Sequence, residues 1–306
     1  MLVTALAGGI GGAKLLVGLQ AALPPGNLVA IVNTADDDTI YNVHVAPDVD
    51  IVTYWLAGRA DRSRGWGLEG DSFAMVEALE RLGAESWFRL GDADLATCIF
   101  RTTRMAQGAT LSSVADEIRR ALGVATRVLP MTDNRVRTLV DCADGRTLSF
   151  QEYFVRERTR PEVASVRYDG CADSKPAPGV LEAIDAADAV VVCPSNPVLS
   201  VAPILGLAGV RDALAAHPSV IAVTPIVAGA ALKGPADRLL VSLGGSASAA
   251  GVARLYADFC DVFVVDASDP GELETISALG MRAEAADTIM SDQDASERLA
   301  RFLLAL

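Results

Sequence analysis

The sequence predicts an α/β protein, a doubly wound Rossmann-like parallel sheet that carries a smaller mixed helical and β insertion. Three observations predict it. The chain opens on an apolar strand, a glycine cluster, a helical pattern and a second apolar strand, the order of a parallel βαβ unit. Short apolar runs bounded by turn residues, with helical patterns between them, return after residue 188, as in sheets wound in both directions. Between these halves the texture changes to helices and then alternating strands, so residues 1–60 and 176–306 read as the core and 61–175 as the insertion.

In order along the chain, residues 2–7 read as a fully buried strand and 12–22 as a helix whose apolar face includes Leu15, Leu16 and Leu19. Leu28–Val32 follows as a second apolar strand. Residues 71–82 and 111–122 have helical periodicity; in the latter Ser112 or Ser113 suits the N-cap and Glu117 a capping box. Arg137–Cys142 and residues 146–154 alternate as strands around Ala143-Asp144-Gly145, where Asp-Gly is a hairpin signal. The Pro-rich stretch 175–178 closes the insertion, and residues 189–193, 220–224 and Val262–Asp266 supply further core strands.

Composition narrows the chemistry. With 306 residues, 51% of them hydrophobic, the chain is long enough to bury its own core without a disulfide or metal staple. Its 26 Lys and Arg against 39 Asp and Glu leave a net charge of −13, which repels a nucleic-acid backbone. A phosphorylated small molecule stays compatible, because oriented amides, one Lys and a bound cation reverse the field locally. The five cysteines (Cys98, Cys142, Cys171, Cys193, Cys260) are scattered and never in a C-x-x-C pair, which predicts a reducing, cytoplasmic setting and no thiolate zinc site. With only His44 and His217 as imidazoles, chemistry leans on carboxylates, backbone dipoles and metal ions. No basic segment precedes the apolar start, so no signal peptide is expected, and Pro194, Pro197 and Pro203 interrupt the one charge-free stretch long enough to span a bilayer.

Five segments bear on function. Gly8-Gly9-Ile10-Gly11-Gly12-Ala13-Lys14, between strand and helix, reads as a phosphate cradle or as a tight turn; no Ser or Thr follows Lys14, and the glycine spacing fits the dinucleotide fingerprint poorly. Asn33-Thr34-Ala35-Asp36-Asp37-Asp38 puts three carboxylates at the end of the second strand, suited to a hard cation such as Mg²⁺ or to a solvated turn. Asp48 and Asp50, like Asp92 and Asp94, precede helical patterns and serve equally as N-caps. Cys193-Pro194-Ser195-Asn196-Pro197 offers donors and acceptors on a stiff loop, for recognition or for structure alone.

Taken together, AGGIGGAKLLVGL, VNTADDD, APDVDIVTYWLAG, RGWGLEGDSF, WFRLGDADLAT and PSNPVLSV, in that order and followed by TPIVAG, resemble the 2-phospho-L-lactate transferase family of coenzyme F-420 biosynthesis. The resemblance implies a cytoplasmic, Mg²⁺-dependent homodimer with no nucleic-acid or membrane partner. Its substrates would be a guanylylated phospho-acid and a deazaflavin precursor, whose ribityl hydroxyl attacks phosphorus as GMP leaves, and the insertion would complete the acceptor site. It further implies that Gly8, Gly9, Gly11, Gly12, Lys14, Ser195 and Asn196 face the nucleotide and its phosphates. Asp36, Asp37 and Asp50 would hold the metal, Asp37 and Asp50 would be catalytic, and Asp50 with Arg89 would meet the deazaflavin. Trp55, Trp66 and Trp87 read either as rings that stack on it or, more commonly, as buried core aromatics. The family often reads Gly-Asp-Arg-Asp-Leu-Ala-Thr-His where this chain has Ala93 for the Arg and Cys98 for the His. A sister group of non-catalytic regulators that bind UDP-sugars, and a nicotinamide oxidoreductase suggested by fold analogy, are the competing expectations.

Overall fold

The computed structural model describes residues 1–232 and 234–306. Strand β1 (Val3–Ala7) leads into helix α1 (Gly9–Ala22) and strand β2 (Leu28–Val32). A small hairpin, β3 (Asp38–Ile40) and β4 (Val43–Val45), precedes α2 (Pro47–Leu56), α3 (Ala74–Arg81), α4 (Asp92–Ala106) and α5 (Leu111–Ala121). Then come β5 (Arg127–Pro130), β6 (Arg137–Cys142), β7 (Thr147–Ser149), a π-helical turn (Glu152–Arg156) and β8 (Val163–Asp169). The rest alternates: α6 (Val180–Asp185), β9 (Ala189–Val192), a second π-helical turn (Pro197–Val201), α7 (Ala202–Leu205), α8 (Val210–Ala216) and β10 (Val220–Val223). A short ribbon, β11 (Ile226–Val227) and β12 (Ala230–Ala231), is followed by α9 (Ala236–Ser242), α10 (Ala249–Tyr256), β13 (Val262–Asp266), α11 (Leu273–Ser277), β14 (Arg282–Ala286) and α12 (Gln293–Leu303).

Among the described residues the main sheet has seven strands in the order β14-β13-β10-β9-β1-β2-β5, every pair parallel. Its central strands β1, β2, β9 and β10 are buried at every position, as expected of a parallel sheet covered by helices on both faces. One apolar cluster, with α1 and α12, lies on one face; a larger one, with α6, α8 and α10, lies on the other. Chain order reverses between β1 and β9, so the crevice beyond their carboxyl ends is the switch point at which such sheets bind ligands.

Residues 61–175 do not leave the main sheet entirely, because β5 pairs with β2 from Val29 to Val32 before β6, β7 and β8 form a separate antiparallel sheet. Three details differ from the sequence reading. The first helix starts at Gly9, not at residue 12, so the glycines form its first turn. Thr110, not Ser112 or Ser113, caps α5 by accepting from Ser113 N, while Ser112 binds Asp133 and Glu117 pairs with Arg104. Strand 146–154 ends at Ser149 and turns into a π-helical loop that stacks Phe150 on Phe154 at 5.3 Å. No single helix among the described residues is long and apolar enough to cross a membrane; the apolar stretch after β9 bends by 87° between its helices.

Candidate active site

A cavity of about 810 Å³ opens at the switch point, between the ends of β1 and β9 and the segments 45–94 and 150–155. Its lining is of two chemical kinds. Gly8, Gly9, Gly11, Asp36, Asp48, Asp50, Ser195 and Asn196 supply amides, carboxylates and polar side chains; Trp66, Phe88, Phe150 and Phe154 supply aromatic rings, and Arg64 and Arg89 guanidiniums. Both guanidiniums lie on Phe73, at 4.9 Å for Arg64 and 4.7 Å for Arg89, and Arg64 also covers Trp66 at 5.4 Å. Such cation–π contacts orient both guanidiniums beside the rings, and Arg64 is in addition paired with Asp61 at 2.9 Å.

The glycine loop is tightly occupied by the protein itself. Ser195 Oγ accepts from Gly8 N at 3.0 Å and donates to Gly8 O at 2.8 Å, while Gly9 N donates to Asp48 Oδ1 at 2.8 Å. A Cβ on Gly11 would stand 2.4 Å from Pro194 O, so the loop after β9 reaches the helix start only because no side chain intervenes. Gly12 faces Ser195 and does not line the cavity. Lys14 lines it, its Nζ donating to Met290 O at 2.7 Å. Asn196 Oδ1 accepts from Val198 N and Leu199 N, which caps the π-helical turn. Sequence reasoning anticipated a loop built for phosphate; Gly8 and Gly9 already have protein acceptors, leaving the helix start at Ile10 and Gly11 as the part turned to a ligand.

Five carboxylates gather in the cavity lining and behind it. Asp36, 5% exposed, has an Oδ1 with no hydrogen-bond partner among the described residues; burial and the charge of Asp48 push its carboxyl well above the usual range. Asp48 accepts from Gly9 N and from Asn33 Nδ2 at 2.9 Å, and burial pushes it up to about 6. Asp37 sits behind the cavity wall, its Oδ2 2.9 Å from His44 Nε2 and its Oδ1 without a partner among the described residues; burial raises it too. Asp50 lines the cavity and pairs with the buried guanidinium of Arg101. Asp94 accepts from the Tyr54 hydroxyl at 2.9 Å and is pushed up to about 7 by burial and the charge of Asp50.

Two groups can be weighed as metal centres. Ligand atoms of Asp50, Asp94 and Cys98 lie within 4.8 Å of one another, yet Arg101 compensates Asp50 and burial raises the Cys98 thiol, which makes that trio a poor home for a hard divalent cation. Asp36 and Asp48 fit one better. They are all-oxygen donors, line the cavity and have no ion-paired cation among the described residues, and one has an orphaned oxygen.

The structure thus gathers Gly8, Gly9, Gly11, Lys14, Asp36, Asp50, Arg89, Ser195 and Asn196 around one cavity and leaves Gly12 and Asp37 outside its lining. Trp66 lines it, whereas Trp55 donates to Gly65 O and Trp87 packs edge-on against Phe88. Sequence reasoning missed Arg101 and left Asp48 between cap and ligand; the cap of α2 is Ala46. A signal for Arg101 existed: Asp94, Cys98 and Arg101 recur at helical spacing on the buried face of α4, where a charge must have a partner.

Comparison with known proteins finds relatives along the whole chain. A family model described as 2-phospho-L-lactate transferase CofD matches residues 3–302. The chain is 40% identical to a phosphoenolpyruvate transferase of Streptomyces griseus, covering 100% of this chain and 98% of that protein. It is 37% identical to a 2-phospho-L-lactate transferase of Methanosarcina mazei, covering 97% of each. A crystal structure of a UPF0052-family protein from Bacillus halodurans superposes with a TM-score of 0.67 at 16% identity, covering 99% of this chain and 98% of that one, a likeness of fold.

Proposed function

The chain belongs to the 2-phospho-L-lactate transferase CofD family, and from that membership we propose that it acts in coenzyme F-420 biosynthesis. The reaction is transfer of a phospho-acid unit, derived from phospholactate, phosphoenolpyruvate or phosphoglycerate, from its guanosine-diphosphate-activated form to the ribityl hydroxyl of 7,8-didemethyl-8-hydroxy-5-deazariboflavin. The observation that carries this reading is a single cavity whose lining combines glycine amides and carboxylates with aromatic rings and guanidiniums. A flat deazaflavin suits the wall of Trp66, Phe88, Phe150 and Phe154, with Arg89 beside it; the guanylylated acid suits the helix start, Lys14, Ser195 and Asn196.

In the reaction the ribityl oxygen bonds to the phosphorus that carries the acid, the bond from that phosphorus to the GMP oxygen breaks, and the hydroxyl proton passes to Asp50. Positioning supplies most of the rate: cavity walls hold hydroxyl and phosphorus in line, and the amides of the helix start face the phosphate oxygens. Asp36 and Asp48, with Asp37 behind them, would hold Mg²⁺, which when bound neutralises phosphate charge. Asp50, which lines the cavity, is assigned the proton and not the cation. We place the enzyme in the cytoplasm as a homodimer acting on small molecules alone.

A thermal-shift panel with GDP, UDP-N-acetylglucosamine, NAD and the deazaflavin precursor, each with and without Mg²⁺, tests the reading. A ligand at a hundredfold over Kd adds about 2.7 kcal/mol. Stabilisation by GDP and the deazaflavin, followed by GMP release with one of the three activated acids, is expected. Stabilisation by the UDP-sugar alone would make the protein a non-catalytic regulator instead.

A further inference from the structure

The proposed reaction leaves one costly group unused, the guanidinium of Arg101. Its side chain is fully buried in the middle of α4 and does not line the cavity. Nη2 pairs with Asp50, and Nη1 donates to the carbonyl of His44 at 3.1 Å, so the same fork grips both the cavity wall and the β3–β4 hairpin. The His44 ring closes the other side by pairing with Asp37 at 2.9 Å, and Asp37 in turn faces Arg101 electrostatically. A buried charge of this kind is expensive, and replacing such a pair by apolar residues is often neutral or stabilising, so stability alone is a weak reason to keep it. Its planar two-point grip is what a Lys lacks.

We propose that Arg101 is a positioning residue: it holds the Asp50 carboxylate in one orientation toward the cavity and keeps it out of the cation-binding set formed by Asp36 and Asp48. This rests on the functional reading above. An Asp50 free to rotate would turn toward the cation or away from the acceptor hydroxyl, and in either case lose its alignment with the phosphorus.

The test is a cycle of Asp50→Asn, Arg101→Lys, Arg101→Met and the double variant Asp50→Asn/Arg101→Met, read by kcat, by KM for donor and acceptor, and by Mn²⁺ binding followed by electron paramagnetic resonance. Arg101→Lys should lower kcat by about 10²-fold, the scale of a misplaced reacting group, with donor KM within about twofold of wild type and Mn²⁺ affinity equal to or above it. The double variant, which removes both buried charges and so keeps the fold even where Arg101→Met alone does not, should turn over no more slowly than Asp50→Asn. Three results would overturn the proposal: full kcat in Arg101→Lys, Mn²⁺ affinity falling in step with kcat, or a double variant much slower than Asp50→Asn. A wild-type chain that releases no GMP from any of the three donors overturns the functional reading and this proposal with it; wild-type turnover matched by Arg101→Lys overturns this proposal alone.

Discussion

At the scale of single residues, space and charge at the glycine loop decide more than glycine's flexibility does. Gly11 faces the Pro194 carbonyl at 2.4 Å from where a Cβ would sit, and that oxygen is backbone. Gly11→Ala should therefore cost about 1–3 kcal/mol of stability and weaken donor binding together. A melting curve alongside a GDP titration checks this, and loss of affinity with unchanged melting would mean that only the ligand touches this position. Asp48→Asn keeps an acceptor for Gly9 N but removes the negative charge next to Asp36; divalent-cation affinity should fall at least about tenfold, measurable by Mn²⁺ binding. Asp48 shows what local spacing hides. Its place after Pro47 at a helix start reads as a cap, whereas its actual partner, Gly9, lies 39 residues away. Asp50 was legible as a carboxylate of the site, but its partner was not, because an Arg in mid-helix looks like any solvated charge until the buried face of α4 is known.

Among the elements, the junction of α3 and α4 has the least expected construction. Asp71 accepts from Ala93 N and Asp94 N at the start of α4, and Asp92 accepts from Ala74 N and Met75 N at the start of α3. Each carboxylate thus caps the other's helix, and between them runs the segment that brings Arg89 and Leu90 to the cavity. Asp71→Ala and Asp92→Ala should each cost about 1 kcal/mol, and, because the caps share one junction, their combined cost should depart from the sum. Chemical denaturation of the two single variants and the double variant measures that departure. The helix periods were readable: α5 covers Leu111–Ala121 against 111–122 from the pattern. Reciprocal capping was not, since an Asp before its own helix is the simpler local solution. The break of strand 146–154 after Ser149 likewise follows from a contact between Phe150 and Phe154 that strand alternation would have put on one face but further apart.

For the molecule as a whole, the central strands were legible because burial on both sheet faces demands continuous apolar runs. The rims were not: β5 begins with an Arg and ends in Pro130, and β14 reads Arg-Ala-Glu-Ala-Ala, compositions that only an edge position tolerates. The buried carboxylates give the whole fold a pH signature. Asp48 at about 6 and Asp94 at about 7 lie above their free value of 3.8, so the folded state holds these protons more tightly than the unfolded chain. Their contribution is full below pH ~4 and is lost as pH rises through ~6 and ~7, on the order of a few kcal/mol in all. The metal-free protein should melt at a lower temperature at pH 8 than at pH 5; Asp94→Asn should flatten the upper part of that slope and a divalent cation the lower part. A melting temperature that climbs between pH 5 and pH 8 would show that these groups do not hold their protons.

The clamp between Ser195 and Gly8 joins residues 187 apart in the chain. During synthesis the glycine loop emerges early and stays without its seal until the strand after residue 188 follows. At roughly 5–20 residues per second that interval is on the order of ten to forty seconds, in which β1 has β2 on one side and nothing on the other. A truncated product ending before Ser195 would carry all five carboxylates in and behind the cavity lining and the aromatic rings of that lining, yet no closed helix start to receive a phosphate. Unfinished chains are therefore expected to be inert toward a nucleotide, and ligand competence to arrive late, as a property of the nearly completed polypeptide.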